Sequence, residues 1–254
     1  MKNRNFVVVD LETTGLTPKT DRILEIGAVK VIDGRITDRM ETFVNPGRKI
    51  PDRITKLTGI TDVMVQDAPP REEAVRGFVS FSEGLPLLGH NILFDYSFLK
   101  HCAVNIGVPF EREALDTLKI ARKALPELPS RSLEALCGYY EIPREHAHRA
   151  MDDVLETFAL YCKMEDIFCG EHPEWFRPEP LKVKAKREGP VTAKQMQYLR
   201  NLAELHHLTL DVEVESLTKN EASRLIDQII FRYGRQKEFR NYLECQEKKE
   251  VNRR

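Results

Sequence analysis

The alternation of apolar and polar residues predicts that the first two thirds of the chain form strands and helices in succession. Short apolar runs predict strands at residues 5–12, 23–34, 36–46 and 86–91. Helical spacing of apolar residues predicts helices at 69–83, 92–107, 115–125, 132–140 and 149–168. Strands followed by strand–helix alternation indicate an α/β domain with a mixed sheet covered by helices.

The pattern changes near residue 171, where four prolines and a basic run occupy residues 171–190. Proline prevents a long helix there, so we expect an extended linker. Two capping boxes follow, one from Thr192 to Gln195 and one from Thr218 to Glu221, and they predict two helix starts. The expected organisation is a domain at 1–170, a linker at 171–190, a small helical module at 191–235 and a charged tail at 236–254.

The overall composition is that of a globular protein, with 41% hydrophobic and 31% charged residues. No apolar run is long enough to cross a bilayer, and the first residues lack the architecture of a signal peptide. The five cysteines are scattered without a CxxC pair, which argues against a zinc site or a disulfide framework. We therefore expect a cytoplasmic protein with reduced thiols and no membrane partner.

The net charge of -1 conceals an uneven distribution, because acids outnumber bases up to residue 180 and bases outnumber acids after it. Acids that gather in one pocket require a cation there. The basic part of the chain suits a polyanion.

The segment VVVDLETTGL at residues 7–16 ends a buried strand with two acids, Asp10 and Glu12. Side chains alternate along a strand, so both carboxylates point to one side and repel each other. A solvated strand end, where two acids cost little, is one explanation of this pair. A bound cation between them is the other.

Two further acids and a histidine favour the cation. Asp95 interrupts an otherwise apolar helix, and Asp153 lies one turn inside a helix that His148 precedes. Oxygen ligands suit Mg²⁺ or Mn²⁺ rather than zinc. Four carboxylates would balance two such ions, the arrangement that cleaves phosphodiesters, and a nearby histidine could accept the proton of the attacking water.

These residues resemble the motifs of the DEDDh 3′–5′ exonucleases, a family typified by the epsilon proofreading subunit of bacterial DNA polymerase III. The similar motifs are Asp10-x-Glu12, HNxxFDxxFL from His90 to Leu99, and His148-x-Ala-x-x-Asp153, and the resemblance covers roughly residues 5–165. It implies a ribonuclease-H-like fold with a mixed five-stranded sheet and helices on both faces, followed here by the added helical module.

The resemblance also implies roles for individual residues. It makes His148 the general base and makes four acids the ligands of two divalent cations, Mg²⁺ or Mn²⁺: Asp10, Glu12, Asp95 and Asp153. The terminal nucleotide would be bound by five residues: Thr14, Gly15, Leu16, Asn91 and Phe94.

The expected activity is removal of nucleoside 5′-monophosphates from the 3′ ends of single-stranded nucleic acid, DNA rather than RNA. A polymerase or another replication or repair protein is a possible partner. Two alternatives stay open: an exoribonuclease with the same chemistry, and a non-catalytic nucleic-acid-binding protein on a nuclease fold.

Other polar residues near these motifs have simpler explanations. Asp152 is turned about 100° from Asp153 around the helix, so we expect it in solvent. Asp116 precedes a predicted helix start and suits a cap better than a metal ligand. His90 could bond a strand end or a substrate. Phe94 is better explained as core than as a platform for a base.

Overall fold

The computed structural model of the protein describes residues 4–144 and 149–234, and the chain forms two compact units, Met1–Arg187 and Glu188–Arg254. The described residues of the first unit contain six strands: β1 Phe6–Thr13, β2 Ile23–Ile32, β3 Arg35–Phe43, β4 Leu87–Gly89, β5 Glu113–Asp116 and β6 Glu179–Pro180. The α-helices of that unit are α1 Asp52–Thr58, α2 Asp62–Val65, α3 Arg71–Phe81, α4 Leu93–Asn105, α5 Thr117–Ala124, α6 Leu133–Tyr139 and α7 Ala150–Phe168.

The strands form one mixed sheet in the order β3-β2-β1-β4-β5-β6. The first three strands are an antiparallel meander, whereas β1, β4 and β5 are parallel to one another. The carboxyl ends of β1, β4 and β5 therefore meet at one edge of the sheet, where ligands commonly bind in α/β proteins.

The predicted ribonuclease-H-like α/β class is confirmed, with three differences of detail. Within the described residues the sheet has six strands rather than five, because Glu179–Pro180 pairs antiparallel with β5. The predicted helix at 115–125 was wrong at its start, because Glu113–Asp116 forms β5 and the helix begins at Thr117. The helices α1 and α2 were not predicted.

Successive side chains of β1 point to opposite faces of the sheet and pack in two different hydrophobic clusters. Val7, Val9 and Leu11 pack in the cluster that includes residues of α3 and α4. Phe6 and Val8 pack in the opposite cluster, which includes residues of α5, α6 and α7. Both faces of the central strand are thereby buried, as expected for a sheet with helices on both sides.

The segment predicted as a linker at 171–190 has structure of its own, because Pro173–Phe176 is a 3₁₀ turn and β6 follows it. Trp175 packs against the cluster that includes α7, which attaches this segment to the domain. The domain boundaries proposed from the composition stay a prediction, and the charged tail predicted at 236–254 lies outside the described residues.

The second unit contains α8 Ala193–Leu205 and α9 Lys219–Tyr233. Both predicted capping boxes are present: Thr192 with Gln195, and Thr218 with Glu221. The two helices share a small apolar cluster that includes Leu199 and Ile229. Across residues 4–144 and 149–234, no helix has the length and apolar character that a membrane span requires.

Candidate active site

The two acids of β1 lie on the face of the sheet that α7 covers. Phe6, on that face, contacts Tyr161 of α7 with ring centroids 5.2 Å apart. Asp10 and Glu12 follow Phe6 at even intervals and so point to the same side. Because α7 packs on this face, its residues are the ones that can approach the carboxylates of Asp10 and Glu12.

The first turn of α7 places Asp153 against this pair. Carboxylate oxygens of Asp10, Glu12 and Asp153 all lie within 4.8 Å of one another. Asp95, from the first turn of α4, accepts a hydrogen bond from the backbone N–H of Leu11 at 3.1 Å. The structure thus brings three of the four predicted ligands together. The fourth, Asp95, is hydrogen-bonded to Leu11, which lies between Asp10 and Glu12 in β1.

This arrangement strongly disfavours ionisation when no counter-charge is present. Burial, and then the charges of Asp95 and Asp153, raise the pKa of Asp10 well above its ordinary value. Burial also raises the pKa of Asp95 well above its ordinary value. Burial and the charge of Asp153 raise the pKa of Glu12 to about 8. At neutral pH these groups would share protons unless a cation replaced them.

Arg144 is a contact of Asp153 that the sequence analysis missed. Its Nη2 donates to Oδ1 of Asp153 at 3.1 Å, and its Nε lies 3.0 Å from Oε2 of the buried Glu156. Burial raises the pKa of Glu156 to about 7, although Arg144 acts in the opposite direction. The guanidinium of Arg144 therefore contacts two acids of α7 at once and holds the carboxylate of Asp153 in place.

Glu25 of β2 is a second residue that the sequence analysis missed, and it fixes the start of α7. Its buried carboxylate accepts from Nη2 of Arg149 at 2.8 Å and from the backbone N–H of Ala150 at 3.2 Å. Glu25 pairs with Glu12 across the two strands. An acid inside the apolar strand ILEIGAVKVI was the available signal, because such a residue requires a partner.

The predicted nucleotide pocket at Thr14, Gly15 and Leu16 is a tight turn at the end of β1. Thr14 is buried, and its Oγ1 accepts from the backbone N–H of Arg22 at 2.9 Å. A Cβ on Gly15 would come within 2.6 Å of the carboxyl of Asp21, so a larger residue here would force the Asp21 side chain to shift. The side chain of Leu16 is 82% exposed, so this turn presents an apolar group to solvent.

The other two predicted pocket residues lie at the end of β4 and the start of α4. Asn91 is exposed, has a φ of 65° and donates its backbone N–H to Oδ1 of Asp116 at 3.0 Å. Phe94 is half-buried and packs against Phe98 with centroids 5.1 Å apart. Phe94 therefore contributes to the core, as its helical spacing indicated.

The remaining polar residues near the site have structural partners. Oδ1 of Asp116 accepts from the backbone N–H groups of Leu118 and Lys119, which confirms its prediction as a helix cap. The two ring nitrogens of His90 lie 2.9 Å from Oγ1 of Thr117 and 3.0 Å from the carbonyl oxygen of Arg131. His90 thus bonds the ends of neighbouring elements.

Two predictions about the third motif have different outcomes. Asp152 is half-buried rather than in solvent, because it lies in the first turn of α7 near Arg149. His148, the predicted general base, lies outside the described residues, so its role stays a prediction.

A ribonuclease-H-like sheet with these four acids at its edge defines a nuclease domain of the DEDDh type. Residues 7–161 match the family described as Exonuclease (RNase T), and the chain belongs to this family. The predicted resemblance is therefore confirmed at the level of the family.

Relatives and solved structures agree with this assignment. The chain is 45% identical over 159 residues to a PolC-type DNA polymerase III of Caldanaerobacter subterraneus subsp. tengcongensis, and the match covers 63% of this chain and 11% of the relative. Exonuclease X in complex with 5′ overhanging duplex DNA is 28% identical with a TM-score of 0.51, covering 64% of this chain and 92% of that one. The nuclease domain of 3'hExo, a DEDDh family member bound to rAMP, shares the fold at 18% identity with a TM-score of 0.59, covering 70% and 97%.

Proposed function

We propose that the chain is a metal-dependent 3′–5′ exonuclease that releases nucleoside 5′-monophosphates from single-stranded DNA ends. The observation that supports this most is the approach of three carboxylates, Asp10, Glu12 and Asp153, to within 4.8 Å of one another at the edge of the sheet. A stable fold does not gather like charges without a partner, and hard divalent cations are the partner that oxygen ligands prefer.

The chemistry of the donors fits two Mg²⁺ or Mn²⁺ ions held by Asp10, Glu12, Asp95 and Asp153. The ligand atoms are all carboxylate oxygens, and burial with mutual repulsion raises the pKa of Asp10, Glu12 and Asp95. When bound, such ions activate water and stabilise the leaving oxygen. The role of the described residues is to hold the carboxylates in place, through Arg144 on Asp153 and Leu11 on Asp95.

The proposed reaction is hydrolysis of the terminal phosphodiester. The oxygen of water forms a bond to phosphorus while the bond from phosphorus to the 3′ oxygen of the preceding nucleotide breaks. We assign to His148 the acceptance of the water's proton, and the departing 3′ oxygen takes up a proton to become a hydroxyl. Thr14, Gly15, Leu16, Asn91 and Phe94 are the residues proposed to hold the terminal nucleotide.

DNA is the proposed substrate because the relative described above is a DNA polymerase III and Exonuclease X is described with DNA. The chain spans about a tenth of that polymerase's length, so a polymerase or repair partner is likewise a proposal. A single assay distinguishes this proposal from its two alternatives, hydrolysis of RNA and binding of nucleic acid without hydrolysis.

The assay uses the purified full chain with matched DNA and RNA single strands labelled at the 5′ end. With Mg²⁺ or Mn²⁺ we expect progressive shortening from the 3′ end, nucleoside 5′-monophosphate products, faster hydrolysis of DNA, and no reaction in EDTA. Faster hydrolysis of RNA would overturn the substrate assignment. Binding without products would overturn the activity.

The stability of the metal-free protein should depend on pH through Glu12. Its pKa is about 8 in the folded chain and ordinarily 4.5, so the folded state keeps a proton that the unfolded state loses in this window. The stabilisation is present below pH 4.5 and is lost as the pH rises to about 8. We expect the melting temperature in EDTA to fall between these values, and Mn²⁺ to raise it most at the alkaline end, because metal replaces the proton.

The variant Glu12→Gln provides the control for this titration, because an amide neither ionises in this range nor replaces the carboxylate as a ligand. Its melting temperature in EDTA should vary less with pH than that of the parent. An identical pH dependence in parent and variant would contradict the assignment to Glu12.

A further inference from the structure

We propose that five cations beside the candidate active site bind the phosphodiester backbone of the substrate strand upstream of the bond that is cleaved. This surface, which we name the basic rim, consists of Lys19, Arg48, Lys49, Arg53 and Lys56. The inference rests on the proposed function, because it assigns the rim to the same substrate.

The segment that carries most of the rim leaves the sheet at the level of the carboxylates. β3 ends at Phe43, which pairs with Glu25, and Glu25 in turn pairs with Glu12. The backbone N–H of Val44 donates to the carbonyl of Leu24 at 2.8 Å, so the chain stays beside β2 as it leaves β3. Residues 44–58 thus continue from the sheet edge that holds the acids.

A chain of contacts links the rim to the predicted nucleotide pocket. Nη1 of Arg48 donates to the carbonyl of Thr20 at 2.7 Å. Thr20 is followed by Asp21, whose carboxyl would lie 2.6 Å from a Cβ on Gly15 and is therefore in close contact with that glycine. Lys19 belongs to the same loop as Thr20 and Asp21. The rim is therefore connected to the predicted nucleotide pocket through Asp21.

The helix α1 holds the rest of the rim in place. Ile54 is buried in a cluster with Leu24 and Ile50, which anchors the helix to β2. Arg53 and Lys56 are exposed and stand three positions apart, which places them on neighbouring sites of the helix surface. Their charges therefore project from a fixed element rather than from a loose loop.

Four of the five rim charges are exposed to a ligand, and Arg48 connects them to the loop that carries Thr20. Lys19, Lys49, Arg53 and Lys56 are all exposed, and none of the four forms an ion pair with another residue in the described ranges. Two acids that are close to them in sequence have local roles. Asp52 lies in the first turn of α1, where a negative charge suits the helix, and Asp62 accepts from the backbone N–H of Ile50 at 2.8 Å.

The positive charge of the rim can offset the repulsion between the acids of the site and the phosphates of a DNA strand. The acids that would hold metal ions repel the phosphates of an approaching strand, so a strand needs positive charge beside the acids to be retained. Single-stranded DNA is commonly held by a positively charged groove that follows its backbone. The exposed cations from residue 48 to residue 56 outnumber the acids there, with Asp52 as the single acid in that stretch.

The test compares a triple variant, Lys49→Gln with Arg53→Gln and Lys56→Gln, with the parent. Fluorescence anisotropy measures binding of a labelled DNA single strand in EDTA, which prevents hydrolysis, between about 50 and 200 mM salt. Because each phosphate contact adds about 0.7 to the salt slope for single strands, loss of three contacts should lower the slope by about two and weaken binding about tenfold or more. The loss should grow as the strand is lengthened from a dinucleotide.

A matched control removes the same charge elsewhere, by Arg35→Gln with Arg39→Gln and Lys163→Gln on β3 and the second half of α7. This control should bind DNA with the parental salt slope. Equal slopes for the rim variant and the control would overturn the rim as a DNA site. Failure of the proposed function is distinguishable, because it would be seen as an inactive parent in Mg²⁺, whereas the rim is measured by binding alone.

Discussion

Replacing Asp153 with Asn will reduce hydrolysis of a DNA single strand by about 10³-fold or more, whereas the same change at the adjacent Asp152 will reduce it by a few-fold at most. The two residues share the first turn of α7 and receive the same chemical change. Asp153 has a carboxylate oxygen within 4.8 Å of those of Asp10 and Glu12, and Asp152 is not part of that group. The comparison therefore isolates the effect of a charge at the proposed metal site.

The expected loss has an electrostatic cause and not a packing cause. Asparagine has nearly the same shape, and its amide oxygen can still accept from Nη2 of Arg144, which donates to Oδ1 of Asp153 at 3.1 Å. What disappears is one negative charge, so the remaining acids hold divalent cations less tightly.

Calorimetric titration with Mn²⁺ measures this effect apart from hydrolysis, and thermal melting shows whether Asp153→Asn is folded. A folded variant with weaker Mn²⁺ binding and lost hydrolysis is the expected combination. Parental hydrolysis by Asp153→Asn would mean that the acidic cluster does not support catalysis.

The central part of the site could be predicted because it depends on local rules. The alternation of side chains along a strand places Asp10 and Glu12 on one face without knowledge of the fold. Asp95 was selected as an acid in an otherwise apolar helix, and Asp153 by its position one turn inside a helix that His148 precedes. The sequence could not show that α7 packs on the same face of β1 as the two acids, because the choice of face depends on tertiary packing.

The residues that support the site were missed for a related reason. Glu25 and Arg149 are 124 positions apart, and no local pattern indicates that they meet. Arg144 resembles any surface cation until α7 brings Asp153 and Glu156 beside it.

Short elements were missed because they contain too few residues for a pattern. β6 has two residues, one of them proline, and forms through pairing with β5. β5 itself has four residues, and its apolar character was indistinguishable from the start of a helix. Tertiary contacts decide such elements, whereas the 19-residue helix α7 was predicted to within one residue at its start.

Replacing Gly27 with Ala will separate the acids and destabilise the domain. Gly27 pairs with Asp10 across the sheet, and a Cβ there would lie 2.5 Å from the backbone carbon of Ala150. Real Cβ atoms do not approach backbone so closely, so α7 must move away from the sheet. We expect the free energy of unfolding to fall by about 1–3 kcal/mol or more, since an added methyl group in a packed interior forces the backbone to shift.

The same displacement should impair catalysis beyond the loss of stability. Asp153 lies one turn into α7, so a shift of the helix start moves it away from Asp10 and Glu12. Misplacement of a reacting geometry by about 1 Å can reduce a rate about 10²-fold. We expect a loss of that size at a temperature where Gly27→Ala is still folded, together with weaker Mn²⁺ binding.

Gly138 in α6 supplies the matched control, because a Cβ there meets no atom within 4 Å. Gly138→Ala makes the same chemical change in a helix, where alanine is favoured over glycine by about 1 kcal/mol, so its free energy of unfolding should rise or stay constant. Urea unfolding and DNA hydrolysis of the two variants measure the contrast. If Gly27→Ala matched Gly138→Ala in both, close contact of α7 with β2 would not be what brings the carboxylates together.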